Sequence, residues 1–420
     1  MSTAGSTRAQ ASSVRAEPEH DFAAKLRQPS ILPQVLDYVA WQRAVREAVE
    51  LGKPKPEMPR FAPISINLDI TTACNYACPH CIDMDILNSP VKYDFDRLKA
   101  SMTHLARHGM KSVIMIGGGE PTLHKGFPEM VRHLKDLGLQ VAIVSNGARN
   151  HVLFEIIEYL DERDWIRLSL DSGSDETFQT MHLPKNPITL DEICEWVPKL
   201  RAKNSAPLIG FSYIIVWGNA EQKGGAKIVS NVHEIVMAAK RARRFNFSYI
   251  SFKPFLTRKD GGAEVMDAGA ITSFEDTVYE IRAMVDEAKT CATPDFEVIE
   301  SVNLKLLEDG NWRDFTNQPQ VCHMQALRQV LSPLGLFNCP AHRGVSHATI
   351  SGKHAYSDEN EFRVASKNTE AILDRFDASH ECREVTCLYN SANWWIDQAI
   401  RGQLPPEMQG ALEERYDYYF

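Results

Sequence analysis

Apolar residues recur along this chain with two different periods, and the period changes at regular intervals. Between residues 65 and 255 six short apolar runs alternate with longer stretches in which apolar residues recur every three or four positions. Short apolar runs are typical of buried strands, whereas the longer period is typical of helices that bury one face. The alternation therefore predicts an α/β fold in which helices connect the strands of a parallel sheet.

The pattern predicts six strands, at residues 65–71, 112–117, 140–146, 165–171, 208–216 and 246–255. It predicts helices at about 94–108, 126–138, 150–162, 174–203, 225–244 and 271–290. Six such units fit a partial (β/α)6 barrel of the TIM type. In such barrels the chemistry collects at the carboxyl ends of the strands, so motifs at those ends are the first candidates for a functional site.

The barrel is predicted to occupy residues 62–290, with two segments before it. Residues 1–20 are small and polar without a pattern, which predicts disorder. Residues 21–61 show helical spacing interrupted by Pro29 and Pro33, so we expect two helices and an extended linker.

After residue 290 the alternation of strands and helices is predicted to stop. Residues 291–403 are expected to form a small α+β domain with a hairpin at 330–339 and a closing helix at 393–400. The remaining segment, 404–420, ends in aromatic residues. Whether this tail packs on the core or on a partner is left open by its sequence.

Composition and charge narrow the possible partners. A net charge of -9 argues against a nucleic-acid surface, which would need clustered Lys and Arg. The chain has no apolar run of about 20 residues, and its opening segment has no apolar signal region, so we expect neither a membrane span nor secretion. The nine cysteines are an odd number in a long chain, which favours reduced thiols in the cytoplasm over a disulfide framework.

The first candidate for chemistry is a loop that carries Cys74, Cys78 and Cys81 directly after the first predicted strand. A cubane iron–sulfur cluster takes four corner ligands, so a loop with three thiolates leaves one iron open to a small molecule. A structural zinc site is the alternative. Zinc would need a fourth ligand, and His80 is poorly placed to supply it because it directly precedes Cys81.

The second candidate is the glycine-rich sequence from Gly117 to Pro121, which ends the second predicted strand. Glycines let the backbone approach a ligand closely, and Glu120 offers a carboxylate to an ammonium group. Taken alone, this sequence is also compatible with an ordinary loop.

The strand, the Cys-x3-Cys-x2-Cys loop and the Gly-Gly-Glu-Pro sequence together resemble the radical S-adenosylmethionine (SAM) superfamily. The resemblance covers about residues 62–290. It implies a four-iron four-sulfur cluster on the three cysteines, with the amino and carboxylate groups of SAM on the fourth iron. It also implies reductive cleavage of SAM to methionine and a 5′-deoxyadenosyl radical.

The same resemblance assigns roles to residues at the strand ends. It implies that Gly118, Gly119, Glu120 and Pro121 hold the amino group of SAM and that His80 lies near the adenine. Polar residues at the later strand ends would bind ribose and carboxylate, and here these are Ser145, Ser169, Asp171 and Asn219. Residues of these types are equally common in ordinary turns and helix caps.

Lys253 interrupts the otherwise apolar and aromatic sixth strand near its end. It is a candidate catalytic or substrate-contacting residue if it points into the barrel mouth. The alternative is that its ammonium group simply reaches solvent.

Four more cysteines follow the barrel, at positions 322, 339, 382 and 387. This arrangement resembles the C-terminal extensions called SPASM and twitch, which hold auxiliary iron–sulfur clusters. A full SPASM domain needs about seven cysteines, so Cys322, Cys339, Cys382 and Cys387 point to the shorter twitch form with one four-iron cluster. Zinc is again the alternative. Cys194 and Cys291 are left over, and burial as small apolar residues accounts for them.

Three functions are compatible with these features. The first is a radical SAM oxidoreductase that acts on a small polar metabolite such as a sugar or aminocyclitol, with the auxiliary cluster as electron acceptor. The second is radical modification of a peptide or protein side chain. The third is a non-catalytic iron–sulfur or zinc protein, in which an open iron would have no purpose. For the enzymatic functions the resemblance implies a reductant such as flavodoxin or ferredoxin.

Overall fold

The computed structural model of the protein describes residues 21–222, 226–259 and 262–420. The predicted disorder of residues 1–20 lies outside the described residues. The described strands are β1 Ser65–Leu68, β2 Ser112–Met115, β3 Gln140–Ser145, β4 Trp165–Ser169, β5 Leu208–Ile215, β6 Glu221–Gln222, β7 Ala226–Lys227, β8 Tyr249–Pro254, β9 Thr257–Arg258, β10 Glu264–Val265, β11 Glu297–Glu300, β12 Arg328–Ser332, β13 Gly335–Phe337 and β14 Thr349–Ser351.

The described α-helices begin with a short N-terminal pair and then alternate with the strands. They are α1 Phe22–Leu26, α2 Leu32–Glu50, α3 Phe95–Arg107, α4 Phe127–Asp136, α5 Asn150–Ile156, α6 Asp175–His182, α7 Leu190–Cys194, α8 Trp196–Lys203, α9 Ile235–Arg244, α10 Phe274–Lys289, α11 Val302–Glu308, α12 Met324–Leu327, α13 Glu359–Arg375, α14 Ala378–Glu381 and α15 Asn390–Arg401. None of these helices is long and apolar enough to cross a bilayer.

The predicted parallel sheet is confirmed. The main sheet has the order β11-β8-β5-β4-β3-β2-β1-β12-β13-β14, and every neighbouring pair from β11 to β12 is parallel. Apolar residues on one face of the strands, such as Ile66, Val113 and Ile166, are fully buried beneath the helices. Burial of each such side chain stabilises the fold by about 1.5–3 kcal/mol.

The alternation of strands and helices continues further than the sequence predicts. Helix α10 leads into β11, which pairs in parallel with β8 at the sheet edge. The expectation that the alternation of strands and helices stops at residue 290 is therefore wrong by one helix–strand unit, α10 and β11. Strand β11 is only four residues long and has Glu at both ends, so its apolar signal is too weak to identify it.

The predicted helix at 225–244 is also too long, because α9 begins only at Ile235. The Asn231 side chain binds the ends of the neighbouring strands: it accepts a hydrogen bond from the Val216 N–H and donates to the carbonyls of Ile214 and Asp171, each at 2.8 Å. These contacts keep Asn231 outside the helix, which starts four residues later. Helical periodicity alone does not reveal such long-range hydrogen bonds.

The predicted hairpin is confirmed, and it belongs to the main sheet. Strands β12 and β13 are antiparallel around a loop of Pro333 and Leu334, while β12 pairs in parallel with β1. The C-terminal cysteine region is therefore attached through backbone hydrogen bonds to the strand that precedes the first cysteine loop. The division of the chain near residue 290 stays a prediction, since one sheet crosses that boundary.

The aromatic tail packs on the protein's own core, across the amino ends of the central strands. The carbonyl of Tyr418 accepts a hydrogen bond of 2.7 Å from Ser112, and that of Phe420 accepts one of 2.8 Å from Arg328. The Tyr419 ring lies edge-on to Trp165 with centroids 5.5 Å apart, and its hydroxyl donates to the Arg163 carbonyl. The tail thus closes the barrel at the end opposite the candidate site.

We predict that Tyr419→Ala lowers the free energy of unfolding by about 3 kcal/mol, because it removes a buried ring and a hydrogen bond. The matched control is Tyr279→Ala, since Tyr279 is 75% exposed whereas Tyr419 is 9% exposed. The control should change stability by about 0.5 kcal/mol or less. Urea denaturation of both variants checks this, and equal effects would mean that the tail does not stabilise the barrel.

Candidate functional site

The loop after β1 brings Cys74, Cys78 and Cys81 together at the carboxyl end of the sheet. Side chains from outside the loop form hydrogen bonds with its backbone. The Cys74 N–H donates to Asn88 Oδ1 at 3.1 Å, and Lys185 Nζ donates to the Cys74 carbonyl at 2.8 Å. Burial raises the pKa of all three thiols, that of Cys81 to about 12. Thiolates at these positions therefore need a bound cation to balance their charge.

The sulfur atoms of Cys74, Cys78 and Cys81 do not all lie within 4.8 Å of one another, which is wider than the spacing of ligands around a single zinc ion. Zinc binds sulfur at about 2.3 Å, so tetrahedral ligands lie about 4 Å apart. Among the described residues, one group of three potential ligand atoms lies within 4.8 Å of one another, and it does not contain these cysteines. The thiols nevertheless act electrostatically on one another, with Cys81 and Cys74 both raising the pKa of Cys78.

The glycine-rich loop after β2 lies directly on the backbone of the cysteine loop. The Glu120 N–H donates to the Ala73 carbonyl at 2.8 Å, and a Cβ added to Gly119 would lie 2.4 Å from that same oxygen. The Gly118 N–H donates to Asp83 Oδ2 at 3.1 Å. Only glycine permits this approach, so the two predicted motifs form one surface.

The Glu120 carboxylate is buried and holds neighbouring loops together. Its Oε1 accepts hydrogen bonds from the Thr122 N–H and hydroxyl and from Ser145 Oγ, and its Oε2 accepts one from the Asn146 N–H at 2.7 Å. Oε2 therefore keeps the capacity to accept a further donor such as an ammonium group. Burial raises the pKa of Glu120, while these donors stabilise its charged form.

Of the other residues predicted to bind SAM, some lie beside Glu120 and others do not. Pro121 is buried at the start of a 3-10 helix, and Ser145 binds Glu120 as described above. Ser169 is half-buried beside Ser212 of β5. Asn219 is exposed in a left-handed turn with φ of 62°, away from this set of contacts.

A buried group of His80, Asp171 and His182 lies against the cysteine loop. Asp171 Oδ2 lies 3.2 Å from His80 Nε2 and 3.6 Å from His182 Nε2, and Asp171 Oδ1 accepts from the Ile214 N–H. His182 Nδ1 lies 3.4 Å from Cys78 Sγ. Burial lowers the pKa of His182 to about 4, so its imidazole is neutral at pH 7.

Sequence reasoning missed His182, although a signal for it exists. The residue ends α6 and is followed by Leu183 in the left-handed conformation and then by Pro184, a combination that marks a helix end. The His182 carbonyl accepts from the Ala77 N–H in the cysteine loop. Only the tertiary contact reveals that this helix end lies against Cys78.

A buried ionic network joins the cysteine loop to the C-terminal region. Arg343 Nη1 lies 2.8 Å from both oxygens of Asp83, and Arg343 Nε lies 3.1 Å from Asp69 Oδ2. Arg258 donates to the Arg343 carbonyl and pairs with Glu264 at 3.1 Å. Burial raises the pKa of Asp69 to about 7 despite Arg343, whereas Arg343 holds the pKa of Asp83 below its usual value against the opposing effect of burial.

The four C-terminal cysteines converge on one cavity of about 160 Å³. Its walls include Cys322, Cys339, Cys382 and Cys387, most of the remaining lining being apolar. Burial raises the pKa of all four thiols, that of Cys322 to about 12. Four thiols around one cavity have the ligand number of a four-iron cluster held entirely by protein.

Lys253 lies on β8, half-buried, on the sheet face opposite the helices. Burial lowers its pKa, and the nearby charge of Arg167 lowers it further. The described residues include no hydrogen-bond or ion-pair partner for its ammonium group. Its role as a catalytic or substrate-contacting residue stays a prediction.

Comparison with known proteins finds similar sequences and a match to the radical SAM family. A sequence profile of the Radical SAM superfamily matches residues 68–221. The S-adenosylmethionine-dependent nucleotide dehydratase of Selenomonas ruminantium is 28% identical over 167 residues, which cover 37% of this chain and 58% of the dehydratase. The mycofactocin maturase MftC of Mycolicibacterium smegmatis is 31% identical over 117 residues, which cover 27% of this chain and 29% of the maturase. Both matches thus span less than two thirds of the relatives' own lengths.

A solved structure shares the fold. The crystal structure of Streptococcus suis SuiB bound to S-adenosylmethionine has a TM-score of 0.51 to this chain at 13% identity, and the match covers 76% of this chain and 68% of SuiB. The matched segment, residues 68–221, contains both the cysteine loop and the glycine-rich loop at the carboxyl end of a parallel sheet, so this part of the chain is similar to the radical SAM superfamily.

Proposed function

We propose that this radical SAM enzyme oxidises a small polar metabolite, such as a sugar or aminocyclitol, and that the four-cysteine site accepts an electron from the substrate. The observation that carries the proposal is the single cavity on which four thiols converge. A cluster with all four irons held by protein has no open iron for substrate. Electron transfer is then the role left to it.

The superfamily's cofactors are SAM and a four-iron four-sulfur cluster, and SPASM-type members carry auxiliary clusters. In the proposed assignment Cys74, Cys78 and Cys81 hold the first cluster. When bound there, the cluster and SAM supply the radical that removes hydrogen from substrate. The backbone at Gly118 and Gly119 would give SAM close access, and Glu120 would offer its carboxylate to the ammonium group of SAM.

The proposed oxidation balances as the loss of two hydrogens. The substrate gives a hydrogen atom from carbon to the 5′-deoxyadenosyl group of SAM, which becomes 5′-deoxyadenosine. It gives a proton to a base and an electron to the four-cysteine site. The product is therefore two mass units lighter than the substrate, and an external reductant such as flavodoxin or ferredoxin supplies the electron for SAM cleavage.

A second candidate is the modification of a peptide side chain. It is favoured by a structure of SuiB bound to its precursor peptide SuiA, whose fold this chain shares with a TM-score of 0.51. The segment from Asp21 to the first strand, all of it described, contains two helices and no strand.

We predict that the anaerobically reconstituted protein holds about eight irons and that simultaneous Cys74→Ala, Cys78→Ala and Cys81→Ala substitution halves this number, because one cluster loses all its ligands. Iron analysis and Mössbauer spectra measure the loss. Cys291→Ala is the matched control and should keep all the iron, since this buried cysteine lies outside both groups. Bound zinc in place of iron would contradict the assignment.

We predict that Cys382→Ala and Cys387→Ala abolish formation of the oxidised product while reductive cleavage of SAM continues. The reason is that each substitution removes a ligand of the proposed electron acceptor but leaves the first cysteine loop intact. One quenched reaction, analysed by mass spectrometry, gives both quantities. Normal turnover in these variants would reduce the second site to a structural role, and a product of unchanged mass would indicate a redox-neutral reaction.

The substrate class is tested by isotope transfer. We expect deuterium from a carbon-deuterated polyol or amino sugar to appear in 5′-deoxyadenosine, because the proposed hydrogen abstraction forms that bond. The measurement is the mass of 5′-deoxyadenosine after incubation with SAM and each labelled candidate. Transfer from a peptide, with none from any small polyol or amino sugar, would replace the first candidate by the second.

A further inference from the structure

Two cationic side chains share the sheet face opposite the helices. On β4 the residues Trp165, Arg167 and Ser169 are partly exposed on this face, while the intervening Ile166 and Leu168 are buried beneath the helices. On β8 the same alternation puts Lys253 on the face of Arg167. Lys253 is level with Ile214 of the intervening strand β5, and Arg167 is level with Gly210, nearer the amino ends of the strands.

Tyr249 belongs to the same surface. A Cβ added to Gly210 would lie 2.1 Å from Cζ of Tyr249, so the phenol ring crosses over this glycine towards β4. Arg167 of β4 is level with this glycine, and its positive charge opposes the rise that burial causes in the pKa of Tyr249. We call Arg167, Lys253 and Tyr249 the cationic lumen site.

Both cations lack an acceptor among the described residues. Arg167 Nε is buried without a hydrogen-bond partner, and its guanidinium instead lies 5.1 Å from the centroid of the Trp165 ring. No described hydrogen bond or ion pair involves Lys253. By contrast, the buried Arg343 side chain pairs with two carboxylates, and Arg258 binds the Glu264 carboxylate and the Arg343 carbonyl.

The nearest carboxylate does not neutralise this site. Asp171 acts electrostatically on both cations, but its oxygens are already bound to His80 and to the Ile214 N–H. Burial and mutual repulsion instead lower the pKa of Lys253. Two partly buried cations without an acceptor on one surface indicate a site that is completed by an anion from outside.

We propose that Arg167 and Lys253 bind a phosphate group of the substrate. Two unpaired cations match the charge of a phosphate dianion, the guanidinium fork matches two of its oxygens, and the Tyr249 hydroxyl can donate to a third. The substrate of the proposed oxidation is then a phosphorylated metabolite rather than a neutral one. This inference rests on the proposed function only in taking the ligand to be the enzyme's substrate.

SAM carries a carboxylate and is the second possible source of an anion. Its proposed amino-group contacts, at Gly118 to Glu120, follow β2, whereas Ser169, a residue implied to bind its ribose or carboxylate, lies on β4 two residues after Arg167. A single carboxylate would also neutralise only one of the two cations. Titration in the presence of SAM separates the two sources.

The experiment is calorimetric titration of inorganic pyrophosphate into the anaerobically reconstituted full chain at saturating SAM. We expect binding to the unaltered protein and an affinity reduced about tenfold or more in Arg167→Gln and in Lys253→Gln. Lys253→Arg should keep the affinity within about threefold, since it preserves the charge. Lys240→Gln is the control for charge change, because Lys240 is exposed on α9.

Folding and SAM binding are measured on the same variants. Melting temperatures should not fall, because neither cation makes a stabilising polar contact in the described structure. Absence of pyrophosphate binding to the unaltered protein would overturn the proposal. An affinity in both Gln variants equal to that of the unaltered protein would also overturn it. So would a loss of SAM affinity of about tenfold or more in these variants, which would assign the cations to the SAM carboxylate.

The test is independent of turnover. Failure to form an oxidised product would refute the proposed reaction and leave the pyrophosphate titration readable. Conversely, a failed titration would leave the mass-spectrometric test of oxidation intact.

Discussion

The guanidinium of Arg343 lies between Asp69, which follows β1, and Asp83, which follows the first cysteine loop. It is 3.1 Å from the first carboxylate and 2.8 Å from the second, and all three side chains are nearly excluded from water. Removing the arginine would leave two carboxylates buried together, which is far more costly than breaking a surface ion pair. Asp83 also accepts a hydrogen bond from the Gly118 N–H. The Arg343 guanidinium therefore positions both loops that are proposed to bind the cofactors.

This network also determines how the two cysteine sites are related. Arg343 follows Cys339 by four residues, and Asp83 follows Cys81 by two. Glu264, which pairs with Arg258, lines the same cavity as Cys339. The distance between the two proposed clusters is therefore set by buried charges and by the continuous sheet, rather than by a flexible linker. For electron transfer between substrate and an auxiliary cluster, such a fixed arrangement is an advantage.

The sheet explains why this arrangement is rigid. Strand β12 extends the barrel sheet next to β1 and carries the C-terminal hairpin with it. At the opposite end of the strands, the aromatic tail covers the amino ends and binds Ser112, Gln140 and Arg328. The open end that remains is the one where the cysteine loop and the glycine-rich loop lie.

Features that arise from local periodicity and local chemistry could be predicted from the amino-acid sequence. Alternating apolar runs predicted the parallel barrel, and the spacing of Cys74, Cys78 and Cys81 predicted their common loop, because neighbours in a loop are also neighbours in space. The hairpin with Pro333 in its turn was predictable for the same reason. The cysteine pattern also led to the superfamily before any contact was known.

Only the tertiary structure decided which distant residues meet. Nothing near Arg343 in sequence indicates Asp69 and Asp83 as its partners, and nothing in the 393–420 segment indicates the floor of the barrel. Helix α9 was predicted too long because Asn231 makes its hydrogen bonds to other strands. His182 and Arg167 were missed because a single residue carries no periodic signal, and its chemistry depends on burial and on neighbours that folding alone brings together.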